Sequence, residues 1–371
     1  MVFNTPIFML ISKYLIYFLP FILSFVLALV LTPLVRKLAF KKNILDLPDT
    51  DRKLHKNSTP LLGGLAVFAS FLITLIVAWL VGWLNDGIIK SAQILALVAG
   101  GSILIIGGFL DDKYKLKPWQ SFLFPVVAVI VAVVLGIVVK YITNPFIAGT
   151  GPYGRALFYF DWLNLNFISL GVLFSFCWLL GMIYTTKFLD GLDGLVSGIG
   201  AIGALILFVV SLFWDVPLSG TSVLCLILAG ALLGFLRYNF YPAQIFLGEG
   251  GATFIGFMLG ALAIISGGKI ATALLIMGIP ILDVVFVILR RIFSGQPIYQ
   301  GDRQHLHFRL LDLGLSHKRV VLALYLLTLI FGVSALFLQS QDKVLALGLL
   351  FCVMIILVGA LVLVYKKRHA P

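Results

Sequence analysis

A chain of 371 residues that is 61% hydrophobic and only 11% charged, with a mean hydropathy of +1.12, is excluded from the soluble globules, whose charged fraction runs about twice as high. Its net charge of +12 would suggest nucleic acid in a soluble protein, but here the basic residues gather in a few connecting segments, as membrane orientation requires, so no nucleic-acid partner is expected. Runs of the roughly 20 apolar residues that a bilayer crossing needs follow one another from Leu15 almost to Tyr365. Residues 1–371 therefore read as a single all-α, polytopic membrane domain. Cys177, Cys225 and Cys352 lie inside apolar runs without paired spacing, which argues against a disulfide framework or a metal knuckle.

In chain order, helices are expected at 14–36, 61–84, 92–111, 118–140, 167–188, 194–214, 219–237, 251–267, 269–291, 318–338 and 343–365, about eleven transmembrane segments. The first ends in Arg36, Lys37, Lys41 and Lys42 instead of a small-residue cleavage site, so it reads as a retained span. After Lys140, the Asn144-Pro145 and Gly151-Pro152 steps and an aromatic tail to Asn166 predict a short hairpin or loop. Pro280 predicts a kink in the ninth helix. Assigning sides by parity puts 21 of the 27 Lys and Arg residues on the face that holds 36–60, 112–117, 187–193, 237–250, 290–319 and the tail from Lys366. The positive-inside rule makes that face cytoplasmic, with the N-terminus outside and the C-terminus inside, although Lys13 argues weakly the other way.

All the prominent polar clusters fall on that face, although parity is set by counting spans and not by motifs. They are Asp51-Arg52-Lys53-Leu54-His55-Lys56, Asp111-Asp112-Lys113, Lys187 to Asp193, Phe246 to Gly251, and Gly301 to Arg309. Ionisable groups at the edge of a span are costly, so function is the expected reason for them. Five inner loops are thus expected to converge on one active site. Asp111, Asp112, Asp190, Asp193 and Glu249 are hard oxygen donors that suit Mg²⁺, with Mn²⁺ as a substitute, whereas only His305 and His307 lie close together as nitrogen donors, too few for zinc. Lys53, Lys56, Lys187, Arg303 and Arg309 complement phosphate oxygens. This mixture suggests a diphosphate-bearing soluble substrate meeting a lipid. Lys41, Lys42 and Lys113 read as solvated inner-face charges, His317 and His369 as surface residues, and Gly100-Gly101 and Gly107-Gly108 as helix-packing surfaces. Asp283 has two readings, an ion pair with Arg290 or a buried support beneath the site.

These stretches resemble the polyprenyl-phosphate N-acetylhexosamine-1-phosphate transferases. The resemblance is carried by Arg52-Lys53-Leu54-His55 with Thr59-Pro60 and Gly63-Gly64, Gly108 to Asp112, Phe188 to Leu195, Phe246-Leu247-Gly248-Glu249, Pro280 to Asp283 through Arg290-Arg291, and His305-Leu306-His307, in family order across almost the whole chain. It implies transfer of a sugar-1-phosphate, GlcNAc-1-phosphate in first place, from a UDP-sugar to undecaprenyl phosphate, with Mg²⁺ and release of UMP. This is the first membrane step of a lipid-linked cell-wall or surface-glycan precursor, at the inner cell membrane. By position, Asp111 and Asp112 are the acidic pair near the lipid phosphate, one of them a metal ligand or base, and Glu249 stands at a metal position. Phe246 stacks on uracil, and Asp190 and Asp193 shape the nucleotide pocket. Arg303, His305 and His307 match the loop that contacts the diphosphate and sugar, the two histidines as catalytic residues, while Lys53, His55 and Lys56 read either as substrate-binding residues or as a solvated inner-face loop.

The chain departs from the family pattern at Tyr184 and Lys187 in place of two asparagines, at Glu249 in place of aspartate, and at Phe308 in place of the last histidine of a His-x-His-His run. Lys187 is expected to contact the diphosphate directly. A phospho-MurNAc-pentapeptide transferase is the alternative within the family, and a polytopic transporter the alternative outside it, although carriers gather their ionisable groups near the midplane. Similarity also implies a homodimer.

Overall fold

The computed structural model describes residues 5–48, 58–84, 89–143, 156–159, 170–214, 219–267, 269–296, 305–338 and 340–368. Lys53, His55, Lys56 and Arg303, four of the expected substrate-binding residues, lie outside them. The helices are α1 (Thr5–Lys41), α2 (Gly63–Leu80), α3 (Ser91–Tyr114), α4 (Pro118–Val134), α5 (Leu170–Leu189), α6 (Leu195–Trp214) and α7 (Gly220–Asn239). They continue as α8 (Gly248–Ile265), α9 (Ile270–Ile276), α10 (Gly278–Phe293), α11 (Leu306–Asp312), α12 (His317–Phe337) and α13 (Ser340–Arg368). Every expected span carries a helix. Among the described residues eight helices are long and apolar enough to cross a membrane, nine if α9 and α10 count as one.

α8 is the hub. It is buried almost throughout and packs against α2, α3, α5, α6, α7 and α9. Small residues make this possible, because in lipid the driving force is close contact between backbones instead of the expulsion of water. A Cβ on Gly256 would lie 2.4 Å from the Met182 carbonyl of α5, and one on Gly108 of α3 would lie 2.0 Å from the Gly250 nitrogen. Gly100 and Gly101 take the rings of Phe257 and Phe254 in the same way, as expected for packing glycines. Around this centre α1 and α12 keep one face apolar and exposed, with Val30, Leu34, Leu326 and Ile330 outward, the surface a bilayer wets.

Three boundaries differ from expectation for visible reasons. α4 stops at Val134, where Gly136 adopts φ +94° and closes the helix, and the chain then enters β1 (Tyr141–Thr143). β1 pairs antiparallel with β2 (Ala156–Tyr159), so the predicted hairpin is present. The kink expected from Pro280 is a full break at Met277, with α9 and α10 bent by 76°. Pro280 has no N–H for the preceding turn, and Gly278 lets the Leu350 side chain close against the bend. α11, inside the expected 290–319 connection, was not foreseen.

Candidate active site

The carboxyl ends of α1, α3, α5 and α7 and the amino ends of α2, α4, α6, α8 and α12 meet on one face of the bundle. They enclose a cleft of about 290 Å³ whose wall includes Asp112, Lys187, Asp190, Asp193, Phe246 and Glu249. Six expected site residues from three separate segments are thus brought together.

Asp111 and Asp112 occupy the last turn of α3, which Lys115 ends at φ +52°. Asp111 turns back to its own connection, where its Oδ1 accepts from the Leu116 amide at 3.1 Å. Asp112 faces the cleft and accepts from the Glu249 amide, in the first turn of α8, at 3.3 Å. An orphan amide at a helix start favours such a carboxylate. Glycine is required between them: Gly248 has φ +75°, and a Cβ there would lie 2.6 Å from Asp112 Oδ2. The Glu249 side chain is ion-paired with Lys187 (Nζ–Oε1 2.5 Å). Ser121 of α4 joins them, accepting from Lys187 Nζ at 3.3 Å and donating to Glu249 Oε1 at 3.5 Å.

The turn from Asp190 to Gly194 links α5 to α6, with Gly194 at φ +79°. Asp193 Oδ2 accepts from the Ala243 amide at 2.9 Å, which ties this turn to the connection between α7 and α8. That connection is held in turn by Asn239, whose Nδ2 donates to the Ile245 carbonyl at 3.0 Å, and by a short backbone ladder. In the ladder the Phe246 amide donates to Pro60 at 2.8 Å and Gly63 donates to Phe246 at 2.9 Å. The ladder fixes where the Phe246 ring stands. The protein mass around the cleft, followed by the Glu249 and Asp193 charges, pushes the Asp190 carboxyl up to about 7, a shift that solvent reaching its exposed turn moderates. A wall of mutually repelling carboxylates gains from any cation it can hold.

His305 and His307 stand behind the Asp190–Gly194 turn instead of in the cleft wall. His305 Nδ1 pairs with Asp283 Oδ2 at 2.9 Å, while Asp283 Oδ1 accepts from the Leu306 amide at 2.8 Å. Of the two readings of Asp283, the buried support is the one observed. The His305 ring stacks between Phe188 and His307. His307 is enclosed with both ring nitrogens unpartnered and presses on Gly191, where a Cβ would come 2.4 Å from its Nε2. Burial pulls its pKa down to about 3 against the opposing pull of Asp283, so it is neutral at ordinary pH. Asp283→Ala is expected to release α11, lowering stability by about 1–3 kcal/mol and turnover at least tenfold, read by thermal unfolding and product release. Asp283→Asn, which keeps an acceptor for Leu306, should retain most of the stability.

Three wall residues escaped the sequence, Asp46, Asn239 and His317, as did Ser121, which bridges Lys187 and Glu249 from behind the wall. His317 is corrected from a surface residue to one that lines the cleft and stacks on Tyr241 at 4.3 Å. The signal available for it was its place at the start of a span on the basic face. Beside the cleft lies an apolar crevice of about 170 Å³ between α2, α3 and the start of α8, which shares Asp112 and Leu247 with it.

A helical membrane bundle with an acidic, lysine-bearing cleft next to an apolar crevice at the helix ends suits an enzyme that works at a membrane surface on one polar and one apolar substrate. Residues 94–267 match the model of glycosyl transferase family 4. The chain is 34% identical over 335 residues to a probable undecaprenyl-phosphate N-acetylglucosaminyl 1-phosphate transferase of Bacillus subtilis (strain 168), covering 88% of this chain and 86% of the relative. It is 32% identical over 348 residues to a decaprenyl-phosphate N-acetylglucosaminephosphotransferase of Mycolicibacterium smegmatis, with 87% and 82% covered. A phospho-N-acetylmuramoyl-pentapeptide-transferase of Desulforudis audaxviator is 31% identical over 320 residues, with 82% and 91% covered. The chain belongs to glycosyl transferase family 4, the family of polyprenyl-phosphate N-acetylhexosamine-1-phosphate transferases.

Proposed function

We propose that this protein transfers GlcNAc-1-phosphate from UDP-GlcNAc to a polyprenyl phosphate and releases UMP, at the cytoplasmic face of the cell membrane. The observation that carries this reading is the junction at Asp112 of a charged cleft with an apolar crevice: a soluble donor and a lipid acceptor need such neighbouring chambers. The names of the relatives support polyprenyl-phosphate sugar-1-phosphate transfer, and the two GlcNAc relatives at 34% and 32% support GlcNAc as the sugar. Family similarity alone supports a homodimer. The break between α9 and α10 is a feature shared with carriers. The carboxylates nevertheless gather at helix ends, as chemistry at a surface requires.

An oxygen of the lipid phosphate attacks the phosphorus attached to the sugar, and the bond from that phosphorus to the bridging oxygen breaks, so that UMP leaves with that oxygen. With a second pKa near 6, as for phosphomonoesters, the attacking oxygen is mostly deprotonated at pH 7. The main barrier is therefore the meeting of two anions. Lys187 is placed to offset charge on the diphosphate, and Phe246 offers a flat ring to the base. Asp190 and Asp193 supply acceptors for the nucleoside. Asp112, Asp190, Asp193 and Glu249 are donors of the kind Mg²⁺ takes, but among the described residues no three His, Cys, Asp or Glu side chains stand close enough to hold one ion. The protein would therefore give one or two carboxylates, and the substrate and water the remaining oxygens, as is usual for Mg²⁺. When bound, the metal supplies charge stabilisation to the transferring phosphate.

The test is UMP release by the purified full chain in detergent from UDP-GlcNAc, dependent on undecaprenyl phosphate and Mg²⁺. Release from no member of a UDP-sugar panel would overturn the reading. His317→Ala should raise the KM for UDP-GlcNAc about tenfold, the worth of one hydrogen bond of about 1.4 kcal/mol, with the KM for lipid phosphate unchanged.

A further inference from the structure

Among the described residues, the acidic wall holds a cation of the protein's own, Lys187. Lys187 Nζ contacts Glu249 Oε1 directly, with the two side chains only 24% and 18% exposed, so water screens this pair far less than a surface one. The ammonium is also backed by Ser121 and lies 5.5 Å from the centre of the Tyr184 ring. The neighbouring carboxylates have donors of their own: Asp112 has the Glu249 amide, and Asp193 has the Ala243 amide. A divalent ion bound to Glu249 would share that carboxylate with Lys187 and would have an ammonium as its close neighbour. Two cations at one carboxylate repel strongly inside a protein. The repulsion is relieved when a diphosphate enters, because its several oxygens can be shared between the lysine and the metal.

We propose that Lys187 is the resident counter-cation of Glu249, and that a divalent ion joins this cleft only together with the diphosphate of the donor. The second half rests on the UDP-sugar reading; the first does not. Lys187 holds the Glu249 carboxylate in place while the cleft is free of donor. It then turns to the diphosphate as donor and metal arrive together. Both departures from the family pattern, lysine for asparagine and glutamate for aspartate, are parts of one device: the longer acid reaches the ammonium.

The test is Mn²⁺ binding to the purified full-length protein, followed by the electron paramagnetic resonance of free Mn²⁺, with and without UDP. The wild type should bind Mn²⁺ at least tenfold more tightly with UDP than without. Lys187→Gln should bind it at least tenfold more tightly than the wild type when UDP is absent, Lys187→Arg should behave as wild type, and adding Glu249→Gln to Lys187→Gln should abolish the gain. Equal Mn²⁺ affinity in wild type and Lys187→Gln without nucleotide would overturn the role of Lys187. Equal affinity of the wild type with and without bound UDP would overturn the joint entry. If UDP itself fails to bind in a calorimetric titration, the donor reading falls, and the nucleotide-free comparison still decides the role of Lys187.

Discussion

Asp112→Asn is expected to lower turnover by about 10³-fold, the scale on which a preorganised electrostatic contact acts, while the protein stays folded. The amide has the shape of the carboxylate, so its oxygen still accepts from the Glu249 amide and still fits the space that Gly248 leaves open. What disappears is one negative charge, at the only point among the described residues where the charged cleft and the apolar crevice share an acidic wall. Because that charge acts where the two substrates meet, kcat should fall and the KM for UDP-GlcNAc change little. The measurement is UMP release at saturating lipid phosphate, paired with thermal unfolding in detergent. A variant that keeps more than a tenth of the activity, or one that melts many degrees early, would remove Asp112 from the reaction.

Much of this site was legible because charge is expensive beside lipid. Each polar cluster had to stand at a span end, and counting spans put the ends on one face. The sequence also grouped Asp112, Asp190, Asp193, Phe246 and Glu249, since their clusters all fall at span ends on the basic face. It did not show which atoms touch. Lys187 was expected on the diphosphate, yet its partner in the fold is Glu249, and Ser121 stands 66 residues away from the lysine that it receives. No local pattern marks a contact made by packing three helices against each other. Asp46 and His317 were missed for the same reason. The break at Met277 was half legible: Pro280 announces a kink, but its 76° angle follows from how α9, α10 and α13 pack.

Gly108→Leu should cost about 3 kcal/mol of stability or more, the upper end for overpacking in a tight interior, and abolish activity in whatever protein still folds. A Cβ at this position would lie 2.0 Å from the Gly250 nitrogen and 2.1 Å from its Cα, atoms of backbone that no rotamer change can move aside. On the other flank of the same helix start, a Cβ on Gly64 would lie 2.3 Å from the Gly251 backbone. The amino end of α8 is therefore gripped between α2 and α3 with no side chain between the backbones, and that grip sets the distance from Asp112 to the Glu249 amide. Any side chain at Gly108 pushes α3 outward and takes Asp112 with it. Gly108→Ala should already lose activity before it loses the fold, because the shift of about 1 Å that relieves a 2.0 Å contact breaks a hydrogen bond sooner than a bundle. Gly181→Ala is the control: this α5 glycine has open space where the Cβ would go, so its variant should match the wild type in melting temperature and UMP release. Equal melting temperatures for Gly108→Leu and Gly181→Ala would mean that α3 and α8 do not meet through bare backbone, and the placement of Asp112 would need another cause.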